Sequence, residues 1–120
     1  MARILITDDA AFMRMMVRSA LESKGHEIVG EAANGADAIK AYKQFKPDVV
    51  TMDITMPDMD GVTAVRNIIE FDPKAKIIMC SAMGQTVMVM DALKAGAKDF
   101  VVKPFQPDRL QQAIDKQLSN

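Results

Sequence analysis

Only one cysteine and one histidine occur in the 120 residues, neither sign of charge dominates, and no apolar run is long enough to cross a membrane. Each shortage excludes something. Cys80, in "KIIMCSA", has no partner for an intramolecular disulfide and reads as a small buried strand residue. His26 lies in the turn "SKGHEI", far along the chain from any second soft ligand; it reads as a solvated turn residue, and zinc has no ligand set. Lys plus Arg number 15 against 16 Asp plus Glu, a formal charge of −1, which leaves no electrostatic footprint for nucleic acid or anionic lipid. The N-terminus "MARILITDD" sets one arginine and a short apolar run against two aspartates, too little for a signal sequence or a membrane span. A cytoplasmic protein is the expectation. Low-complexity tracts, linkers and internal repeats are absent too, so residues 1–120 read as a single domain.

What is present is a rhythm. With 49% apolar residues the chain has enough for one core. The runs "RILIT", "HEIVGEA", "PDVVTMD", "AKIIMCS" and "DFVVKP" read as five strands, most of them apolar throughout, as in a parallel sheet covered on both faces. Segments of helical period separate them. Residues 12 to 24 place Met13, Met16, Val17, Ala20 and Leu21 on one face. Asn34 precedes a helix burying Ile39, Tyr42 and Phe45, and "KPD" ends it because the residue before proline avoids the helical region. Residues 61 to 70 bury Val62, Val65, Ile68 and Ile69; the last helix opens with Pro107 and buries Leu110, Ala113, Ile114 and Leu118. Gly61, Gly84 and Gly96 read as turn or helix-end residues, where positive φ is permitted. Five βα units make an α/β fold, an open three-layer sandwich.

In such sheets the ligand crevice lies beyond the carboxyl ends of the strands. Strand one ends at Asp8 and Asp9, strand three at Asp53, strand four at Ser81 and strand five at Lys103. The simplest competing account of the Asp8–Asp9 pair is a helix cap favoured by the macrodipole. If strands one and three are neighbours, however, three carboxylates crowd together, and two unit charges ~4 Å apart repel by roughly 4 kcal/mol at an effective dielectric near 20. A hard divalent cation offsets that, and Mg²⁺ suits carboxylates, a backbone carbonyl and water. Three carboxylates, Mg²⁺ and the Lys103 ammonium sum to zero. Converting one carboxylate to an acyl phosphate leaves about −1. Phosphoryl transfer needs mainly alignment and charge neutralisation, and aspartate is a competent nucleophile, so Asp53 reads as the phosphoacceptor.

The pieces "DD" after strand one, "MDITMPDMDG" around Asp53, "SA" after strand four and "KPF" after strand five, in this order along the whole chain, resemble the receiver domain of bacterial two-component response regulators. The surrounding text, "DDAAFMRMM" and "AGAKDFVVKPFQ" among it, is similar to the stand-alone chemotaxis regulators of that family. The resemblance implies a flavodoxin-like (βα)5 sandwich with sheet order 2-1-3-4-5. It implies that Asp53 receives a phosphoryl group from a histidine kinase. Mg²⁺ is then held by Asp9, Asp53 and the Thr55 carbonyl, with Asp8 acting through water. Ser81 and Lys103 hold the phosphoryl oxygens, and Lys103-Pro104 is cis. It implies a switch in which Ser81 moves and the Phe100 ring turns into the vacated space. Since position 100 lacks a tyrosine hydroxyl, that coupling is steric. Thr55 and Met83 fall at positions that tune phosphoryl lifetime in the family.

Partners follow from the same resemblance: a histidine kinase, a flagellar motor switch protein and a phosphatase, with the chain a monomer and a phosphoacceptor that assists its own phosphorylation and dephosphorylation rather than an enzyme. Since the sequence shows no output domain, the signal is expected to leave by binding. Four consecutive apolar residues in "TVMVMDAL" exceed the stripe a helix buries. Met88 and Val89, with Phe100 and Lys103, are therefore expected at the partner surface. An alternative within the family is a relay that passes the phosphoryl group to a histidine phosphotransfer protein. Outside it, Asp53-Ile54-Thr55 resembles the motif of haloacid-dehalogenase-type phosphatases, but no second carboxylate stands two positions on. A flavodoxin-like nucleotide binder would need donors where "TDDAA" offers acids.

Overall fold

Strands that are apolar on both faces demand cover on both faces, and the chain supplies it by alternation. In the computed structural model, which describes residues 1–119, the elements run β1 (Arg3–Thr7), α1 (Ala11–Glu22), β2 (Glu27–Ala32), α2 (Gly35–Phe45), β3 (Val49–Asp53), α3 (Gly61–Phe71), β4 (Ile77–Ser81), α4 (Thr86–Ala95), β5 (Asp99–Val102) and α5 (Pro107–Leu118). All neighbours pair in parallel, in the order β2-β1-β3-β4-β5. This is the flavodoxin-like three-layer sandwich. Alternate side chains divide between two cores. Leu5, Val50, Met52, Ile77 and Met79 meet α2, α3 and α4, whereas Ile4, Ile6, Val49, Ile78, Cys80 and Val101 meet α1 and α5. Burying one such isoleucine stabilises the fold by roughly 1.5–3 kcal/mol over leaving it exposed. The central strands β3 and β4 are buried along their whole length, which is why they read as continuous apolar runs.

Local chemistry sets the joints. Asn34 caps α2 by accepting the Asp37 N–H at 2.8 Å, and Asp60 caps α3 through Thr63 at the same distance. At the other end of α2, Lys46 does leave the helix before Pro47, but into the left-handed region (φ 45°) rather than an extended one. The Arg3 guanidinium donates to the carbonyls of Phe45 and Lys46 at 2.9 and 3.1 Å and satisfies that helix end.

Several sequence expectations need correction. His26 is buried rather than solvated: its Nδ1 accepts the Ala2 N–H at 2.9 Å and its Nε2 lies 2.9 Å from Gln111 Oε1. A backbone N–H can only donate, so the ring is the neutral tautomer with its hydrogen on Nε2. Met16 faces solvent while Val17 and Leu21 carry the buried face of α1. In α5 the buried residue near the C-terminus is Gln117, and Leu118 is exposed. Gly84 and Gly96 use the positive φ that glycine permits, whereas Gly61, at a helix end as expected, does not. Gly61 is needed for close approach instead: any Cβ there would run into the Asp53 carbonyl oxygen, and its N–H donates to Ile54 O at 2.7 Å. Helix α3 thus starts hard against the end of β3.

Candidate functional site

Parallel pairing with an unshifted register is what gathers the polar residues. Thr7 is level with Met52, so the residues that follow, Asp8 and Asp53, leave adjacent strands side by side; Asp53 is level with Cys80, and Ser81 with Val102. Carboxylate oxygens of Asp8, Asp9 and Asp53 all lie within 4.8 Å of one another. Asp8 and Asp53 are buried and Asp9 is exposed. Lys103, one residue past β5, reaches across β4: its Nζ donates to Asp8 Oδ2 at 2.7 Å and stands 3.4 Å from Asp53 Oδ1. The Lys103 N–H donates to Ser81 O at 2.7 Å, anchoring the two strand ends together, and the Lys103-Pro104 bond is cis.

Neighbouring groups hold the acids in place. Asp8 Oδ1 accepts the Ala10 N–H at 2.9 Å, the Asp8 N–H donates to Ala32 O at 3.0 Å, and Arg14 donates to the Asp8 carbonyl at 2.7 Å. Asp8 is not the cap of α1, whose N-cap is Ala10 without a side-chain bond. Asp53 Oδ1 accepts the Ile54 N–H at 2.9 Å. Burial pushes the Asp53 carboxyl up to about 6; Lys103 pulls it down, and the Asp8 charge pushes it up again. For Lys103, burial works against the charged form, but the hydrogen bond to Asp8 and the charges of Asp53 and Asp8 outweigh it and raise its pKa. Cys80, level with Asp53 on β4 and near enough to feel the charges of Lys103, Asp53 and Asp8, has a thiol pushed up to about 12, chiefly by burial, and stays protonated at neutral pH. The donor set is therefore hard oxygen alone, the chemistry of a Mg²⁺ site rather than a zinc site.

Of the residues singled out from sequence, Asp8, Asp9, Asp53 and Lys103 are brought together. Ser81 is fully buried on the neighbouring strand, and it shares a cavity of about 300 Å³ with Phe100, Met83, Val89 and Met90. The Thr55 side chain turns away to a hydrogen bond with Gln85. Phe100 is half-buried against the core. The expected exposure of α4 is shifted: Val89 is buried at 6% and Met88 half-buried, whereas Val87 (73%) and Met90 (50%) face solvent. An apolar run offers no period to phase the helix, and packing of Val89 and Ala92 into the core decides it. Arg14 and Gln85, both in contact with the site loops, were not anticipated. Toward the site their partners are the Asp8 carbonyl, the Ala82 N–H and the Thr55 hydroxyl, while Arg14 also pairs with Glu31 at 3.1 Å; contacts so far apart in the chain leave no mark in a sequence pattern.

Comparison with other proteins agrees with this geometry. Residues 4–115 match the response regulator receiver domain. The chain is 62% identical to the chemotaxis protein CheY of Bacillus subtilis over 98% of both chains, and 60% identical to CheY of Thermotoga maritima over 95% of both. Among solved structures, a CheX-CheY complex from Borrelia burgdorferi with beryllium fluoride and magnesium has a chain that superposes with a TM-score of 0.92 at 41% identity, over 97% of this chain and 88% of that one. Fold, strand-end acids and full-length likeness converge: the chain belongs to the response regulator receiver domain family, as a CheY-like member of its chemotaxis branch.

Proposed function

We propose that the protein is a phosphorylation-activated chemotaxis regulator of the cytoplasm whose phosphoacceptor is Asp53. The observation that carries this is Lys103 Nζ placed between Asp8 (2.7 Å) and Asp53 (3.4 Å), with a third carboxylate, Asp9, in reach. An Asp53 carboxylate oxygen attacks the phosphorus of a phosphohistidine on the kinase. The P–O bond forms as the P–N bond breaks, and the imidazole nitrogen keeps the electron pair and takes a proton. Water later attacks the same phosphorus, releasing inorganic phosphate and restoring the carboxylate.

Asp8, Asp9, Asp53 and the Thr55 carbonyl would hold Mg²⁺, which supplies charge neutralisation for the phosphoryl oxygens. The Lys103 ammonium, already aimed at Asp53, holds a phosphoryl oxygen, and the Ser81 hydroxyl takes another. Moving Ser81 shifts the β4–α4 turn and opens room for Phe100 in the cavity they share. The outcome is read on α4 and β5, where Val87, Met90 and Val102 already face solvent. These replace Met88 and Val89 as the apolar contacts for a flagellar motor switch protein. A histidine kinase loads the domain, and a phosphatase of the kind seen beside the Borrelia relative unloads it. Intact-mass measurement after incubation with acetyl phosphate and Mg²⁺ tests the reading. The parent gains one phosphoryl (~80 Da), Asp53→Asn gains none, and EDTA abolishes the gain; an equal gain in Asp53→Asn misplaces the acceptor.

A further inference from the structure

Gln85 stands where α4 begins, yet its side chain makes no cap to that helix. It ties two loops together instead. Its Oε1 accepts the Ala82 N–H at 2.7 Å, and its Nε2 donates to the Thr55 hydroxyl at 2.8 Å. The orientation of the amide is forced, because a backbone N–H can only meet the oxygen. Thr55 is two residues past Asp53 and Ala82 is one past Ser81, so one side chain bridges the segment leaving the acceptor strand to the segment leaving the hydroxyl strand. Gln85 also lines the cavity that Ser81 and Phe100 share.

We propose that Gln85 is a positioning residue that latches the β4–α4 turn to the β3–α3 turn in the resting protein, so that loading a phosphoryl group on Asp53 competes with the latch. The inference rests on the phosphoryl chemistry proposed for Asp53. Drawing Ser81 toward a phosphoryl oxygen moves Ala82 with it, and Gln85 cannot follow Ala82 and keep Thr55 unless both turns move as one. Interactions made in only one of two states shift their balance by their own strength. Thr55 and Ala82 are exposed and Gln85 is half-buried. Two neutral hydrogen bonds in that setting are worth about three- to tenfold in an equilibrium.

Calorimetric titration with beryllofluoride at saturating Mg²⁺ tests this, because it reads loading without turnover. Gln85→Met keeps length and loses both bonds; Thr55→Val removes one bond and keeps the backbone. Each is expected to tighten beryllofluoride binding, by about three- to tenfold for Gln85→Met and less for Thr55→Val. Thr55→Ser restores the parental Kd, and the double variant is no tighter than Gln85→Met alone. Unchanged or weaker binding by Gln85→Met, an additive double variant, or failure of Thr55→Ser to restore the parental value overturns the latch while leaving Asp53 as acceptor. A parent that does not bind beryllofluoride overturns the underlying function, and the latch with it.

Discussion

At the amino-terminal end of the strands, Asp48 accepts the Arg3 N–H at 2.8 Å, the Arg3 guanidinium donates to two helix-end carbonyls, and both nitrogens of His26 have partners at 2.9 Å. At the carboxyl-terminal end three carboxylates crowd within 4.8 Å and one ammonium, Lys103, stands against two of them. At the first end each of these polar groups has a partner within the fold, and the contacts are structural. The second keeps negative charge in excess, as the proposed Mg²⁺ and phosphoryl chemistry requires. Burial alone does not separate the two, since His26, Asp8 and Asp53 are all buried. What separates them is whether the partners at hand neutralise the charge.

Breaking the acidic end should cost most. Lys103→Met, measured by urea unfolding in EDTA at pH 7, is expected to lose about 2–3 kcal/mol, because buried Asp8 loses its partner. Lys103 has a raised pKa in the fold, so its contribution is fully present throughout the neutral range and fades only above its ordinary range, near pH 10. A Lys103→Met protein as stable as the parent would mean the carboxylates were never in electrostatic debt. At the other end, His26→Ala leaves the Ala2 N–H and Gln111 without that partner and is expected to cost about 2 kcal/mol. Phosphorylation by acetyl phosphate should stay within about twofold of the parent. A large fall in that rate would show that the two ends are coupled.

Asp53→Asn should have the smallest effect on stability, and of opposite sign. The folded-state pKa of Asp53, about 6, lies above its ordinary value, so the folded protein holds a proton more tightly than the unfolded chain. The parent therefore gains stability as pH falls through about 6 toward 4, and is penalised above that window. In EDTA at pH 7.5 the variant is expected to be more stable by about 1 kcal/mol, after discounting for solvent screening. The advantage should shrink to nothing near pH 4 and should narrow when Mg²⁺ is added. A difference independent of pH would put its origin in packing rather than charge.

Much of the site was legible in the chain, for a reason particular to parallel sheets. Strands buried on both faces read as apolar runs, and their carboxyl ends fall on one edge, so Asp8, Asp9, Asp53, Ser81 and Lys103 announced themselves. Which strands adjoin was not written in any run; it came with the family resemblance. Misreadings cluster where one-dimensional period is silent. Helix α4 is apolar at Val87 through Met90, so no stripe exists to tell Val89, which packs inward, from Val87, which does not. In α1 and α5, Met16 and Leu118 fall at the margins of the apolar stripes and stay exposed, while Val17, Leu21 and Gln117 are buried. Gly61 and His26 owe their roles to backbone that arrives from elsewhere in the chain: the Asp53 carbonyl and the Ala2 N–H.

Borohydride reduction of the freshly phosphorylated parent, followed by peptide mapping, reads the acceptor directly, since it converts an acyl phosphate to the alcohol and leaves free carboxylates untouched. A single homoserine at position 53 is the expected result. Homoserine at position 8 or 9, or a phosphoryl group that survives reduction on another residue, would contradict Asp53 as the acceptor.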